Sequence, residues 1–175
     1  MSWRQPSPNK PAKDYTKQAD KAEVAATTVK LAPIGVVHSP YVERFGTPRQ
    51  PSYAVTPVTG TIELNSGFNF EQALKDLDTF SHIWVIYWMH LNQGWNPLVK
   101  PPRDPHVHHG VFSTRAPHRP NSLGLSVVRL SSIKGRILHI ENHDMLDGTP
   151  VLDIKPYIKE ADCFPEANAG WLGKS

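Results

Sequence analysis

The twelve residues from Phe80 to Leu91, FSHIWVIYWMHL, constrain this chain more than any other stretch. β-branched and aromatic side chains dominate it, and apolar residues occupy both odd and even positions. A strand with that pattern is apolar on both faces and belongs in the middle of a sheet, covered on either side. His82 and His90 bracket it, and His82 reads as a satisfied core histidine.

The remaining strand signals are short and closely spaced. Ile34, Val36 and Val37 form a first strand that ends near Pro40, and Thr59 to Leu64 alternates β-formers with polar residues. Leu123 to Leu130 and Ile137 to Ile140 make a hairpin through Lys134 and Gly135. Val151, Leu152 and Ile154 form a last strand, ended by Pro156. One helix is expected, with Asn69 as N-cap, Gln72 completing a capping box, and Phe70, Ala73, Leu74 and Leu77 on one apolar face. No βα unit repeats and no GxGxxG follows a strand. The expected fold is therefore mainly β: a small single-domain β-barrel or sandwich, not a Rossmann fold, with one or two short helices.

Residues 1–30 lack apolar periodicity and read as a polar extension, 31–160 as the barrel domain and 161–175 as a tail. The extension has no apolar h-region, and the longest apolar run, Ile83 to Met89, is too short to span a bilayer. A single cysteine, Cys163, excludes an internal disulfide framework and fits a cytoplasmic location. Net charge is only +3, so any binding of phosphates must rest on local groups of cations such as Arg44 with Arg49, Lys100 with Arg103, and Arg115 with Arg119.

The chemistry concentrates in two stretches. In GVFSTRAPHRPNSLGLS (110–126), a short apolar run at Val111 and Phe112 leads into two arginines, a histidine and two prolines. Proline cannot continue a helix and pushes the residue before it towards extended geometry, so this is a stiff loop leaving a strand and presenting cations. Guanidinium forks on a stiff backbone suit carboxylates or phosphates. In DMLDGTPVLDIKPY (144–157), Asp147 and Gly148 mark a turn, with Asp144, Asp153 and Lys155 close by. With four prolines and Gly94, the segment from Asn92 to Pro105 reads as a long irregular loop and precedes His106, His108 and His109, with His118 further on. Neither cysteines nor an HExxH pattern accompany these histidines, and no metal site is expected.

These two stretches, with IGVVHSPY (34–41), TPRQP (47–51) and FSHIWVIYWMH (80–90), resemble in the same order the signatures of the TsaA-like (YaeB-like) family of S-adenosylmethionine-dependent tRNA adenine-N6-methyltransferases. The likeness runs from about Ile34 to Ile158. It implies a β-barrel methyltransferase that uses S-adenosyl-L-methionine near a homodimer interface and methylates N6 of a threonylcarbamoyl-modified adenosine next to the tRNA anticodon. By that likeness Pro48, Arg49, Gln50, His90, Arg115, Leu125, Leu146, Asp147, Gly148 and Thr149 are cofactor positions. Arg49 or Arg115 can meet the cofactor carboxylate, the Leu146–Thr149 backbone can supply hydrogen bonds, and Leu125 can line an adenine slot. Asp153 and Lys155 are candidates for the neighbourhood of the base, and Tyr157 for a stacking or hydrogen-bonding group. His118, Arg119 and Asn121 are expected to face the RNA. Ser122 stands where members usually carry proline, Leu91 follows His90 where some carry glutamine, and longer members continue into a further domain. Two other classes fit the residues: a methyltransferase acting on a small molecule, and a non-catalytic barrel that stacks single-stranded nucleic acid on Trp84, Trp88 or Trp95.

Overall fold

The computed structural model describes residues 28–43, 47, 48, 50, 51 and 57–174. Arg44 and Arg49 lie outside the described residues, as does most of the polar extension. The chain divides between Leu31 and Ala32, and every element below lies in the second unit.

Six strands close into an antiparallel barrel: β1 (Gly35–His38), β2 (Thr59–Leu64), β3 (His82–Trp88), β6 (Leu123–Lys134), β7 (Ile137–Glu141) and β8 (Pro150–Pro156), in the order β1-β2-β7-β6-β3-β8. Two short strands, β4 (Leu98–Val99) and β5 (His109–Gly110), form a separate ribbon in the long connection between β3 and β6. The expected barrel is thus the observed one. Closure uses two irregularities, one between Ile86 and Tyr87 against β8 and one between Leu130 and Ser132 against β7. Bulges of this kind bend a sheet enough to meet its own edge.

Period-two alternation sorts the side chains. Val37, Ile62, Ile83, Val85, Leu138 and Val151 are fully buried inside the barrel. The β3 run is central, as its composition required, pairing β6 on one side and β8 on the other. Its inward residues Ile83, Val85 and Tyr87 are buried, whereas Trp84 and Ile86 on the outer face are half-covered and Trp88 is 47% exposed. The Tyr87 ring lies across Gly124, its cross-strand partner, where a Cβ would come within 2.1 Å of the ring.

Two local expectations change. The helix is a single turn, α1 (Phe70–Ala73), and Asn69 stands in the left-handed region (φ 55°) with no side-chain cap. That conformation turns the Asn69 side chain away from the helix N–H groups, so the capping box does not form. Leu74 is still buried, and Phe70 and Leu77 pack against the core, as the apolar spacing required. Val111 and Phe112 do not extend a strand either. They open a 3-10 turn, Val111–Ser113, that buries Val111 and leaves Phe112 exposed.

After β8 a second short helix, α2 (Lys159–Asp162), returns along the outside of β3. Asp162 Oδ2 accepts from the Trp84 indole at 3.0 Å and from the Ile158 N–H at 2.8 Å. A final 3-10 segment, Gly170–Lys174, places Trp171 flat against His109, ring centres 4.0 Å apart.

The outer surface is asymmetric. Over β1, β2 and β7 it is ion-paired: Glu63 lies 3.2 Å from His38 and 2.9 Å from Arg136, and Glu141 sits between Arg129 and Ser131. Over β3 and the start of β6 it is apolar, with Trp88, Leu123 and Leu125 between 42% and 55% exposed.

Candidate active site

Antiparallel closure puts the ends of β1, β3 and β7 and the starts of β2, β6 and β8 at one rim of the barrel. The three chemistry-bearing connections, 39–58, 89–122 and 142–149, therefore share that rim, and two of them are clasped together. Asp147 N–H donates to the Tyr41 carbonyl at 2.7 Å, Gly148 N–H to Val37 O at 2.9 Å, and Ser39 N–H to Asp147 Oδ1 at 3.0 Å. Thr149, 4% exposed, donates its N–H to Leu146 O and accepts from Val37 N–H. Gly148 has φ 73°, which a Cβ would resist, so the turn needs glycine there. Since the N–H groups of Asp147, Gly148 and Thr149 are all spent in this clasp, the turn can offer a ligand carbonyl oxygens and the Asp147 carboxylate, groups suited to an ammonium or an amino group.

Arg115 comes from the 89–122 connection at the same rim. It is exposed, and its Nη1 donates to Gln50 Oε1. Its charge also acts on Asp144, whose carboxyl burial pushes above the usual range near 3.8 while hydrogen bonds from Ser126 and backbone, and then Arg115, pull the other way. Ser126 Oγ donates to Asp144 Oδ1 at 2.6 Å and lies 3.3 Å from the Tyr87 hydroxyl. Burial, with Asp144 adding repulsion, pushes the Tyr87 phenol up to about 12, so it stays protonated and serves as a hydrogen-bonding group. Tyr41 is raised too, by desolvation and then by Asp144. His143 is fully buried beneath this network, its ring edge-on to Tyr41 at 5.5 Å. Both its nitrogens approach backbone of Thr59 and Met145 without a well-aligned hydrogen bond, and burial lowers its basicity.

The loop that carries Arg115 is stiff for a reason beyond its prolines. Arg119 Nη1 donates to the carbonyls of Val111 (3.2 Å), Thr114 (2.8 Å) and Ala116 (3.4 Å), pinning the loop from inside. It pairs with neither Asp144 nor Asp153. His118 is half-buried and Asn121 exposed on the same loop.

The expected site residues fall into two groups. Gln50, Arg115 and the Leu146–Thr149 turn gather at the rim with Asp144; Pro48 is half-buried in the first rim connection. His90 stands at the rim end of β3, its ring 6.1 Å from Trp88. Leu125, Asp153, Lys155 and Tyr157 lie instead on the outer wall. Leu125 and Asp153 flank Ile86 from opposite sides, and Lys155 pairs across from Trp84. The Asp153–Lys155 ion pair, 2.9 Å long, is largely exposed. Tyr157 meets the rings of His82 and Trp84, and burial, then Cys163 and Asp162, raise its phenol, so it is no base at neutral pH.

Ser126, Tyr87 and Tyr41 were not singled out from the sequence. The signal was available for two of them: Ser126 and Tyr87 fall on inward positions of their strands, where a hydroxyl must find a partner.

A closed, non-Rossmann barrel with an exposed guanidinium and a partly buried carboxyl network at one rim defines a class of small β-barrel domains. The chain belongs to the tRNA-methyltransferase O N-terminal domain family, which it matches over residues 36–163. It is 47% identical over 146 residues to a probable S-adenosyl-L-methionine-binding protein of Pyrococcus abyssi, covering 82% of this chain and 76% of that one. It is 41% identical over 145 residues to the tRNA (adenine(37)-N6)-methyltransferase of Escherichia coli, covering 79% of this chain and 61% of that enzyme. The crystal structure of TrmO from Pseudomonas aeruginosa superposes with a TM-score of 0.69 at 40% identity, covering 83% of this chain and 63% of that one. The barrel is therefore shared, while the chain spans about three fifths of the length of the two last proteins.

Proposed function

We propose that this chain is an S-adenosylmethionine-dependent methyltransferase whose acceptor is N6 of an adenosine in tRNA, the threonylcarbamoyl-modified adenosine beside the anticodon. The observation that carries the reading is that one rim carries both an exposed guanidinium, Arg115, bonded to Gln50, and a turn whose N–H groups are spent and whose acceptors remain. A zwitterionic amino-acid end needs that combination: a cation for its carboxylate and acceptors for its ammonium. Arg115 and Gln50 would take the carboxylate, the Asp147–Gly148 segment the amino group, with Pro48, Arg49, His90 and Leu125 completing the surround. The cofactor, when bound, supplies an electrophilic methyl group on a sulfonium. The protein's part in such an in-line displacement is alignment and electrostatics. Asp144, held between Ser126 and the field of Arg115, fixes the charge pattern of the rim. Asp153 and Lys155 are the proposed neighbourhood for the departing proton and Tyr157 a stacking or donor group, while His118 and Asn121 border the RNA on the loop that Arg119 shapes.

Because Asp153, Lys155, Tyr157 and Leu125 lie on the outer wall and Arg115 at the rim, a homodimer in which one chain's wall meets the other's rim brings both groups to one site. The exposed apolar surface of Trp88, Leu123 and Leu125 supports that arrangement. No helix among the described residues is long and apolar enough to cross a membrane, and a cytoplasmic location fits a tRNA substrate. Incubating the protein with labelled S-adenosylmethionine and tRNA, then digesting to nucleosides, tests the reading. Label in an N6-methylated adenosine derivative is the expected result; label absent from RNA but present in a small metabolite added as competitor would replace the substrate.

A further inference from the structure

Phe112 has no role in the cofactor reading, yet its setting is unusual. The ring is 78% exposed, while Val111 beside it is 2% exposed. An exposed aromatic ring on a mobile turn would be unremarkable. This turn is fixed on every side. Val111 N–H donates to Pro97 O at 2.9 Å, Ser113 Oγ to Gly110 O at 2.8 Å, and Thr114 N–H to Val111 O at 3.2 Å. From outside, the Trp171 indole donates to Ser113 O at 2.9 Å. From below, the Arg119 guanidinium carbon lies 5.9 Å from the Phe112 ring centre, and three carbonyls hold its Nη1 there. The ring is thus braced in an outward pose where it gives up most of the burial that aromatic residues contribute to folding.

We propose that Phe112 is a stacking platform for an unpaired nucleobase of the RNA substrate, at the mouth of the Arg115 site. The proposal rests on the tRNA reading above and deepens it. A flat, rigid, preorganised ring is what base stacking needs, because any base presents a π-face and little ordering entropy remains to be lost. The neighbours select the partner. Arg119 under the ring and the exposed Arg115 three residues on make the surroundings cationic, which favours a polyanion. A contiguous apolar surface suited to protein contact exists elsewhere, on the outer wall at Trp88, Leu123 and Leu125.

The test uses the full chain and a tRNA anticodon stem-loop, comparing wild type with Phe112→Leu and Phe112→Tyr. Loss of one stacked base weakens binding roughly 5- to 150-fold. Phe112→Leu should show such a loss with the slope of affinity against salt unchanged, since no phosphate contact is removed. Phe112→Tyr should bind like wild type, and S-adenosylmethionine affinity and melting temperature should be the same in all three. If wild type binds the stem-loop and Phe112→Leu binds it equally well, the platform is wrong and the tRNA reading stands. A fall in RNA affinity that follows a changed oligomeric state, or one with a flattened salt slope, also overturns stacking. If wild type binds S-adenosylmethionine but no RNA, the tRNA reading itself fails and the platform with it.

Discussion

Asp144 sits where the barrel rim turns from scaffold to chemistry. Its carboxylate takes a 2.6 Å hydrogen bond from Ser126 and feels Arg115, yet burial wins and the folded pKa is raised. A carboxyl raised on folding contributes stability fully present below its ordinary value near 3.8 and lost as pH rises through the folded value. Asp144→Asn removes that titration while keeping a side-chain oxygen for Ser126. In denaturant unfolding from pH 4 to pH 7, the variant should therefore gain on wild type as pH rises. A difference independent of pH would mean that Asp144 is not desolvated as described. This residue also shows how far sequence reading reaches. The 144–157 stretch stands out by composition, but which aspartate meets an inward-facing partner depends on strand register: Ser126 points inward beneath Asp144, whereas Asp153 points out across from Ile86.

At the scale of elements, strands were legible and their ends were not. Alternation in Thr59–Leu64 and the doubly apolar β3 run dictate which faces are covered, and a hairpin at Lys134–Gly135 follows from glycine's tolerance of φ 58°. Asn69 misled because a residue that caps helices also enters the left-handed region readily, and nothing local decides between them. Phe112 misled because two apolar residues in a row fit a strand or a turn equally, until Arg119, eight residues from Val111, fixes the turn. The wall built by β3 and β6 carries its own prediction. Leu123 is 42% exposed beside Trp88, in the middle of the apolar surface proposed to meet a second chain. A buried unpaired charge in such an interface costs several kcal/mol, on the order of 3–5. Leu123→Glu should therefore sediment as a monomer at concentrations where wild type is a dimer, with its melting curve only slightly changed. Wild type that sediments as a monomer throughout would remove the dimer from the account.

For the molecule as a whole, burial demands that six short strands cover one inward face each, which a sandwich or a barrel would do, and the bulges in β3–β8 and β6–β7 let the sheet close on itself. Its antiparallel closure then brings residues far apart in sequence, Gln50, Arg115 and the Leu146–Thr149 turn, to a single rim. Family likeness, not any local pattern, led to the expectation that Arg49, Arg115 and the Leu146–Thr149 turn share one pocket, and Arg49 lies outside the described residues; the split between rim and outer wall was not expected, because it depends on the bulge that shifts β8 against β3 between Ile86 and Tyr87. The central claim is that the rim guanidinium holds the amino-acid end of S-adenosylmethionine, and calorimetry on wild type and Arg115→Ala measures it most directly. A charge-assisted hydrogen bond contributes roughly 1.5–3 kcal/mol, so the variant should bind the cofactor about 10- to 150-fold more weakly at unchanged melting temperature. Equal affinity in the two proteins would contradict the account.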